Sequence, residues 1–251
     1  MTAAAFFDLD NTLIRGSSMF HLARGLKHYD FLTDDDVRKF VWTNLKFVLV
    51  GKEHINDMQG IKANALRLAQ GHSYDKLVQI AEPVIDEFLI PKVFERTLAI
   101  AREHLARGEQ VWIVTASPQH LASILAQKLG LTGALGTVAE INDGTFTGEL
   151  AGPILHGAEK AVAIQKLAAE QGIDLALSTA YSDSVHDQPM LSTVGHAVAV
   201  NGDRRLRTLA RKCGWRSVDF RRSRLARKYS VHAAVVAVLS GIAGVLRRLK
   251  R

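Results

Sequence analysis

Short apolar runs that end in polar or acidic residues constrain this chain most. Ala3–Phe7, Val111–Thr115, Ala176–Tyr181 and Ala197–Val200 are each four to six residues long, the length of a buried strand and too short for a buried helix. Between the later runs lie Pro118–Leu129 and Glu159–Gln171, apolar at helical spacing, with Gly130 and Gly172 just past their ends as stop signals. Strands that alternate with helices in this way predict βα units around a parallel sheet with helices on both faces, a Rossmann-like α/β fold. The segment Glu140–Gly152 differs, because its Asp143-Gly144 turn lies between alternating residues and predicts a β-hairpin.

From about Ser17 to Leu89 the alternation stops. No strand pattern is present there, but several amphipathic helical patterns are, opened by the N-cap signals Thr33-Asp34-Asp35-Asp36 and Ser73-Tyr74-Asp75. About 70 residues inserted after the first strand cannot be a simple loop of a compact domain. The expected organisation is therefore an α/β core from residues 1–16 and 90–220, a helical cap domain at 17–89, and a basic and apolar C-terminal helical tail at 221–251.

The net charge of +7 is unevenly spread. Residues 201–251 hold 15 Lys and Arg against 2 Asp and Glu, leaving 17 against 23 in residues 1–200, so the body is mildly acidic and the tail carries the basic character. In the tail, the cluster Arg221–Lys228 precedes the apolar run Val231–Leu246, whose 16 residues are short of the ~20 of a membrane span. It suits a helix packed on the body or lying at a membrane surface. Only Tyr229 is aromatic among the basic residues after position 220, so the stacking used for single-stranded nucleic acid is not expected. The single cysteine, Cys213, excludes an intrachain disulfide and reads as a packing residue in a reducing compartment. With only five apolar residues before Asp8, the N-terminus does not read as a signal peptide, and a cytoplasmic location is expected.

Four segments carry candidate chemistry. In Phe6-Phe7-Asp8-Leu9-Asp10-Asn11-Thr12-Leu13, a buried strand runs into two aspartates two residues apart, on one face at the strand's carboxyl end. Such like charges call for a cation, a raised pKa, or both. The run Val111–Thr115 ends in a hydroxyl followed by Ala116-Ser117, able to offer O–H and N–H groups to an anion or to cap the next helix. Lys160 falls in the first turn of a helix, where the dipole disfavours a cation, so it is either solvated or directed at an anion. In Tyr181-Ser182-Asp183-Ser184-Val185-His186-Asp187, a second strand runs into carboxylates four residues apart, hard ligands that favour Mg²⁺ over zinc.

In this order, the four segments resemble the motifs of the haloacid dehalogenase superfamily. The helical insertion between the first two is similar to that of its subfamily IB, with a C1-type cap, which contains phosphoserine phosphatase. The resemblance covers about residues 3–217. It implies a phosphoric monoester hydrolase acting through an aspartyl-phosphate on a small phosphorylated metabolite. Asp8 would be nucleophile and magnesium ligand, and Asp10 general acid/base and a ligand through its carbonyl. Thr115 and Lys160 would hold phosphoryl oxygens, with Asp183 on the metal and Asp187 behind it in the outer shell. The aspartate at position 10 sets the chain apart from the members of the superfamily that cleave carbon–halogen bonds.

There are three departures from the resemblance. Ser17 stands where phosphoserine phosphatases carry a substrate-recognising glutamate, His186 where they carry Asn, and Ala116-Ser117 where they carry Gly-Gly. Phosphoserine itself is therefore not implied. A neutral, hydrogen-bonded role is expected for His186. Lys27, Lys46, Lys52, Lys62 and Arg67 of the cap are candidate anion contacts. The alternative reading is a membrane-surface protein that acts on a lipid-linked phosphate, or serves mainly as a binding module through residues 221–251, placed at the inner face of the membrane. Nothing in the residues specifies an oligomeric state.

Overall fold

The computed structural model describes residues 2–36 and 69–220. The cap cations Lys46, Lys52, Lys62 and Arg67, and every expectation about the tail at 221–251, lie outside the described residues.

The core is a six-stranded parallel sheet built from β1 (Ala4–Asp8), β2 (Gln110–Pro118), β3 (Gly133–Thr137), β6 (Thr179–Ser182), β7 (His196–Val200) and β8 (Arg216–Val218). The strand order is β3-β2-β1-β6-β7-β8. The expected α/β sheet is therefore borne out. All five residues of β1 are buried, as a central strand covered on both faces requires. Its alternation divides the core in two. Ala5 and Phe7 join Leu98 and Ala101 of α3 (Glu95–Ala106) and Leu121 and Leu125 of α4 (Gln119–Lys128). Ala4 and Phe6 join Ile164 of α5 (Ala158–Gln171), Met190 of α6 (Gln188–Thr193) and Leu206 of α7 (Arg204–Cys213).

Between β1 and α3 lie α1 (Ser18–His28) and α2 (Tyr74–Val84), the latter continuing through a π-helical turn, Ile85–Leu89, and a 3₁₀ turn, Ile90–Lys92. Every regular element described in this region is helical. α1 approaches α2 closely at Gly25, where an added Cβ would come 2.7 Å from Val84 Cγ1. The predicted hairpin forms as β4 (Ala139–Asn142) and β5 (Thr145–Leu150), with Asp143 and Gly144 both at positive φ in the turn. α5 ends in the expected left-handed Gly172, φ 65°.

Some details differ from the sequence reading. β6 starts at Thr179, not Ala176, because Asp174 Oδ1 accepts from the Ala176 N–H at 2.9 Å and turns the chain there. β3, Gly-Ala-Leu-Gly-Thr, has two glycines and a single β-branched residue, Thr137, and is held by pairing with β2. Cys213 is exposed and not a packing residue, because it is the last residue of α7 and the chain turns away at Gly214, φ 70°. At Gly195 a methyl group would overlap the Ala176 carbonyl oxygen and displace the Gly195 N–H from Leu175 O, which accepts it at 2.8 Å. Gly195→Ala should therefore lower unfolding free energy by about 2 kcal/mol, readable as a reduced urea midpoint with an unchanged slope.

Candidate active site

The strand order reverses between β1 and β6, since β1 leads to β2 and β3 on one side while β6, β7 and β8 extend on the other. Open α/β sheets bind ligands outside the carboxyl ends of strands at such a switch point. Asp8 ends β1 and Asp183 follows β6 directly. Asp8 is paired in register with Val114, so Thr115 lies one residue further along β2.

Lys160 brings two of the predicted carboxylates together. Its Nζ donates to Asp8 Oδ1 at 2.5 Å and to Asp187 Oδ2 at 2.8 Å, across 152 and 27 residues of sequence. All three side chains are nearly sealed from water, with exposures of 3% for Lys160, 10% for Asp8 and 3% for Asp187. A cation in the first turn of α5, unfavourable toward the helix dipole, is thus compensated by two buried anions. Burial disfavours the Lys160 ammonium, but Asp187 and Asp8 outweigh it and hold the lysine above its ordinary value. Burial likewise pushes Asp187 upward, and Lys160 overcomes this to keep it ionised below its ordinary value. Asp8 goes the other way. Burial, with Asp187 and Asp10 nearby, outweighs Lys160 and lifts its carboxyl to about 6.

Each carboxylate has further support. Thr12 Oγ1 donates to Asp8 Oδ2 at 3.1 Å, and Ser182 Oγ donates to Asp187 Oδ2 at 2.7 Å. Asp10 is half-buried, and its Oδ1 accepts from the Ser18 N–H at 2.8 Å. Thr115 is buried, and its Oγ1 accepts from the Ser117 N–H at 3.1 Å, which leaves its own O–H to be donated. Asp183 is half-buried, and its carbonyl accepts from the Asp203 N–H at 2.9 Å. Asn11 and Asn201 both adopt positive φ, and the Asn201 amide donates to Asn11 O at 3.0 Å, tying the loop after β1 to the end of β7.

Thr12, Ser18, Ser182 and Asn201 are polar residues here that sequence reasoning left without a role, and Ser117, expected to face an anion or cap a helix, bonds instead to Thr115 and Ser18. Thr12, Ser117 and Ser182 stand inside the quoted motifs, whereas Ser18 and Asn201 carry no local signal. The substituted positions are also placed. Ser17 caps α1, its hydroxyl accepting from Phe20 N–H at 3.4 Å. The His186 N–H donates to Ser184 Oγ at 3.2 Å, and its ring lies 5.8 Å from that of His156. Lys27 forms an ion pair with Asp34.

The donors at the ends of β1 and β6 are oxygens, and among the described residues no three His, Cys, Asp or Glu side chains close a metal cage. Oxygen donors suit Mg²⁺, which takes one or two carboxylates plus waters and substrate oxygens, better than zinc, which favours N and S ligands.

The candidate site is thus a buried ionised pair at a switch point, flanked by further carboxylates and hydroxyls. The chain matches the haloacid dehalogenase-like hydrolase family model over residues 5–192. It is 48% identical over 241 residues to the protein named phosphoserine phosphatase SerB1 of Mycobacterium tuberculosis, covering 96% of this chain and 78% of that protein. A solved structure of a Bordetella pertussis protein of unknown function superposes with a TM-score of 0.76 at 28% identity, covering 87% of this chain and 99% of the other. A phospho-aspartyl intermediate analogue of phosphoserine phosphatase shares the fold, with a TM-score of 0.57 at 21% identity, covering 82% and 90%. The chain belongs to the haloacid dehalogenase-like hydrolase family, and the resemblance to its phosphoserine phosphatase-like members is borne out.

Proposed function

We propose that this chain is a Mg²⁺-dependent phosphomonoester hydrolase that acts on a small phosphorylated metabolite through an aspartyl-phosphate on Asp8. The observation that carries this reading is the buried Asp8–Lys160–Asp187 cluster at the β1/β6 switch point. A lysine with three N–H donors can release one carboxylate contact to hold a phosphoryl oxygen without being desolvated afresh.

Asp8 Oδ attacks phosphorus in line while the bond to the leaving oxygen breaks, and the Asp10 carboxyl delivers a proton to that oxygen. The same carboxylate then takes a proton from water as it attacks the acyl phosphate, releasing phosphate and restoring Asp8. Throughout, Lys160 and the Thr115 hydroxyl hold equatorial phosphoryl oxygens. Asp8, the Asp10 carbonyl and Asp183, with Asp187 in the outer shell, would hold Mg²⁺, which supplies neutralisation of phosphoryl charge. Residues 1–16 and 90–220 form the catalytic core in this reading. Residues 17–89 form a cap that covers the site and selects the substrate.

Ser17 is occupied in capping α1 and brings no carboxylate to meet a substrate ammonium, so phosphoserine is a candidate on the strength of the similar mycobacterial protein alone. Among the described residues no helix is long and apolar enough to cross a membrane. The purified chain should hydrolyse p-nitrophenyl phosphate with Mg²⁺, lose the activity with EDTA and regain it on adding Mg²⁺ back. Undiminished turnover in EDTA would remove the metal from the proposal. A screen of phosphorylated metabolites, phosphoserine included, would then identify the substrate.

A further inference from the structure

Ser17 already satisfies the start of α1, so the bonds of Ser18, the next residue, are free to serve elsewhere. They reach two catalytic segments distant in sequence. The Ser18 N–H donates to Asp10 Oδ1 at 2.8 Å, and the Ser18 hydroxyl shares a 2.6 Å hydrogen bond with that of Ser117. Ser117 in turn donates its N–H to Thr115 Oγ1 at 3.1 Å. Ser18, Ser117 and Thr115 are 0%, 2% and 3% exposed. A hydroxyl pair so deeply buried holds its geometry, because separating it leaves two unsatisfied polar groups. Asp10 is less buried than these, and a carboxylate with access to water samples several rotamers unless something holds it. The first N–H of a helix, with the positive end of the dipole behind it, is a suitable holder.

We propose that Ser18 is a positioning residue. Its N–H fixes the Asp10 carboxylate and its hydroxyl, through Ser117, ties the start of α1 to the loop that presents Thr115, so that proton donor and phosphoryl contact keep a set separation. The inference rests on the reading of Asp10 as the acid that protonates the leaving oxygen. Its consequence is selective. An alkyl leaving group needs that proton, whereas p-nitrophenolate departs without it, so a misplaced Asp10 slows the first reaction far more than the second.

Ser18→Pro removes the backbone bond to Asp10 together with the hydroxyl, whereas Ser18→Ala removes the hydroxyl alone. Ser18 is the first residue of α1, where proline is favoured, and Ser17 has the extended φ −90°, ψ 125° that a residue preceding proline adopts. Ser18→Pro should reduce kcat/KM for glycerol 2-phosphate by about 100-fold, the size of a general acid's contribution, and for p-nitrophenyl phosphate by less than about tenfold, with a cooperative thermal transition retained. Ser18→Ala and Ser117→Ala should each show a smaller loss of the same selectivity, and the double variant no more than either single one. An equal loss on both substrates, no loss, or additive effects of the two alanines would overturn the proposal. If Ser18→Pro does not fold, the alanine pair decides by the same criteria. Asp10→Asn separates the two levels. Equal loss on both substrates there defeats the reading of Asp10 as acid, whereas selective loss in Asp10→Asn without it in the Ser18 variants defeats only the role given to Ser18.

Discussion

Lys160→Met is expected to lower folding stability by about 3–5 kcal/mol, the cost of removing one partner from a buried ionic cluster, and to abolish phosphatase activity. Methionine fills nearly the same volume, so the loss is electrostatic in origin. Without the ammonium, Asp8 and Asp187 remain buried with like charges and no cation between them. The deficit should depend on pH with a definite sign. A carboxyl whose folded-state pKa is raised favours the folded state below its unfolded value and loses that contribution as pH rises through the folded one. Asp8 stands at about 6 with Lys160 present, and removing the neighbouring cation lifts it further. The penalty of Lys160→Met relative to the parent should therefore be full well above pH 6 and shrink as pH falls toward 6 and Asp8 takes up a proton. Denaturant unfolding of both proteins at several pH values measures this, and a penalty independent of pH would show that the cluster is not held together by charge.

Asp8→Asn separates chemistry from folding. The amide cannot accept a phosphoryl group by the proposed route, and loss of a nucleophile typically costs about 10⁴-fold or more in kcat. The fold should survive, because Lys160 keeps its 2.8 Å bond to Asp187 and the Thr12 hydroxyl retains an acceptor at position 8. The expected result is a protein with a melting transition near the parent's and no measurable hydrolysis of p-nitrophenyl phosphate. In the parent, acid quench during turnover should trap phosphate on the chain in a hydroxylamine-sensitive form, as an acyl phosphate requires, and Asp8→Asn should trap none. Full activity in Asp8→Asn would end the nucleophilic assignment.

Local patterns were informative where one physical cause acted along the chain. Apolar runs the length of strands located β1, β2 and β7, and Asp143-Gly144 located the hairpin, because turn chemistry needs only neighbouring residues. They failed where pairing replaced propensity. β3 is glycine-rich and becomes a strand because β2 offers it a partner. Cys213 follows the general burial habit of free cysteine only on paper, since its helix stops before a neighbour covers it.

For the site, the residue types and their chain order were legible in the sequence. Asp8 and Asp10, Thr115, and Asp183 with Asp187 stand out because strand ends gather hydrogen-bonding and charged side chains where a sheet opens to ligand, whereas Lys160, in a helix, was singled out by the resemblance to the family motifs. Their environments were not legible. Read alone, Lys160 could equally be a solvated surface cation. It is buried because α5 packs against the sheet end and directs its first turn at Asp8, 152 residues away. Ser18 and Ser117 could not be paired by any local rule, being 99 residues apart. The amino-acid sequence by itself thus determined which groups are present and on which kind of element they lie, because periodicity and turn chemistry are short-range. The tertiary structure alone decided which charges are desolvated and which groups touch, because both depend on what long-range packing places around them.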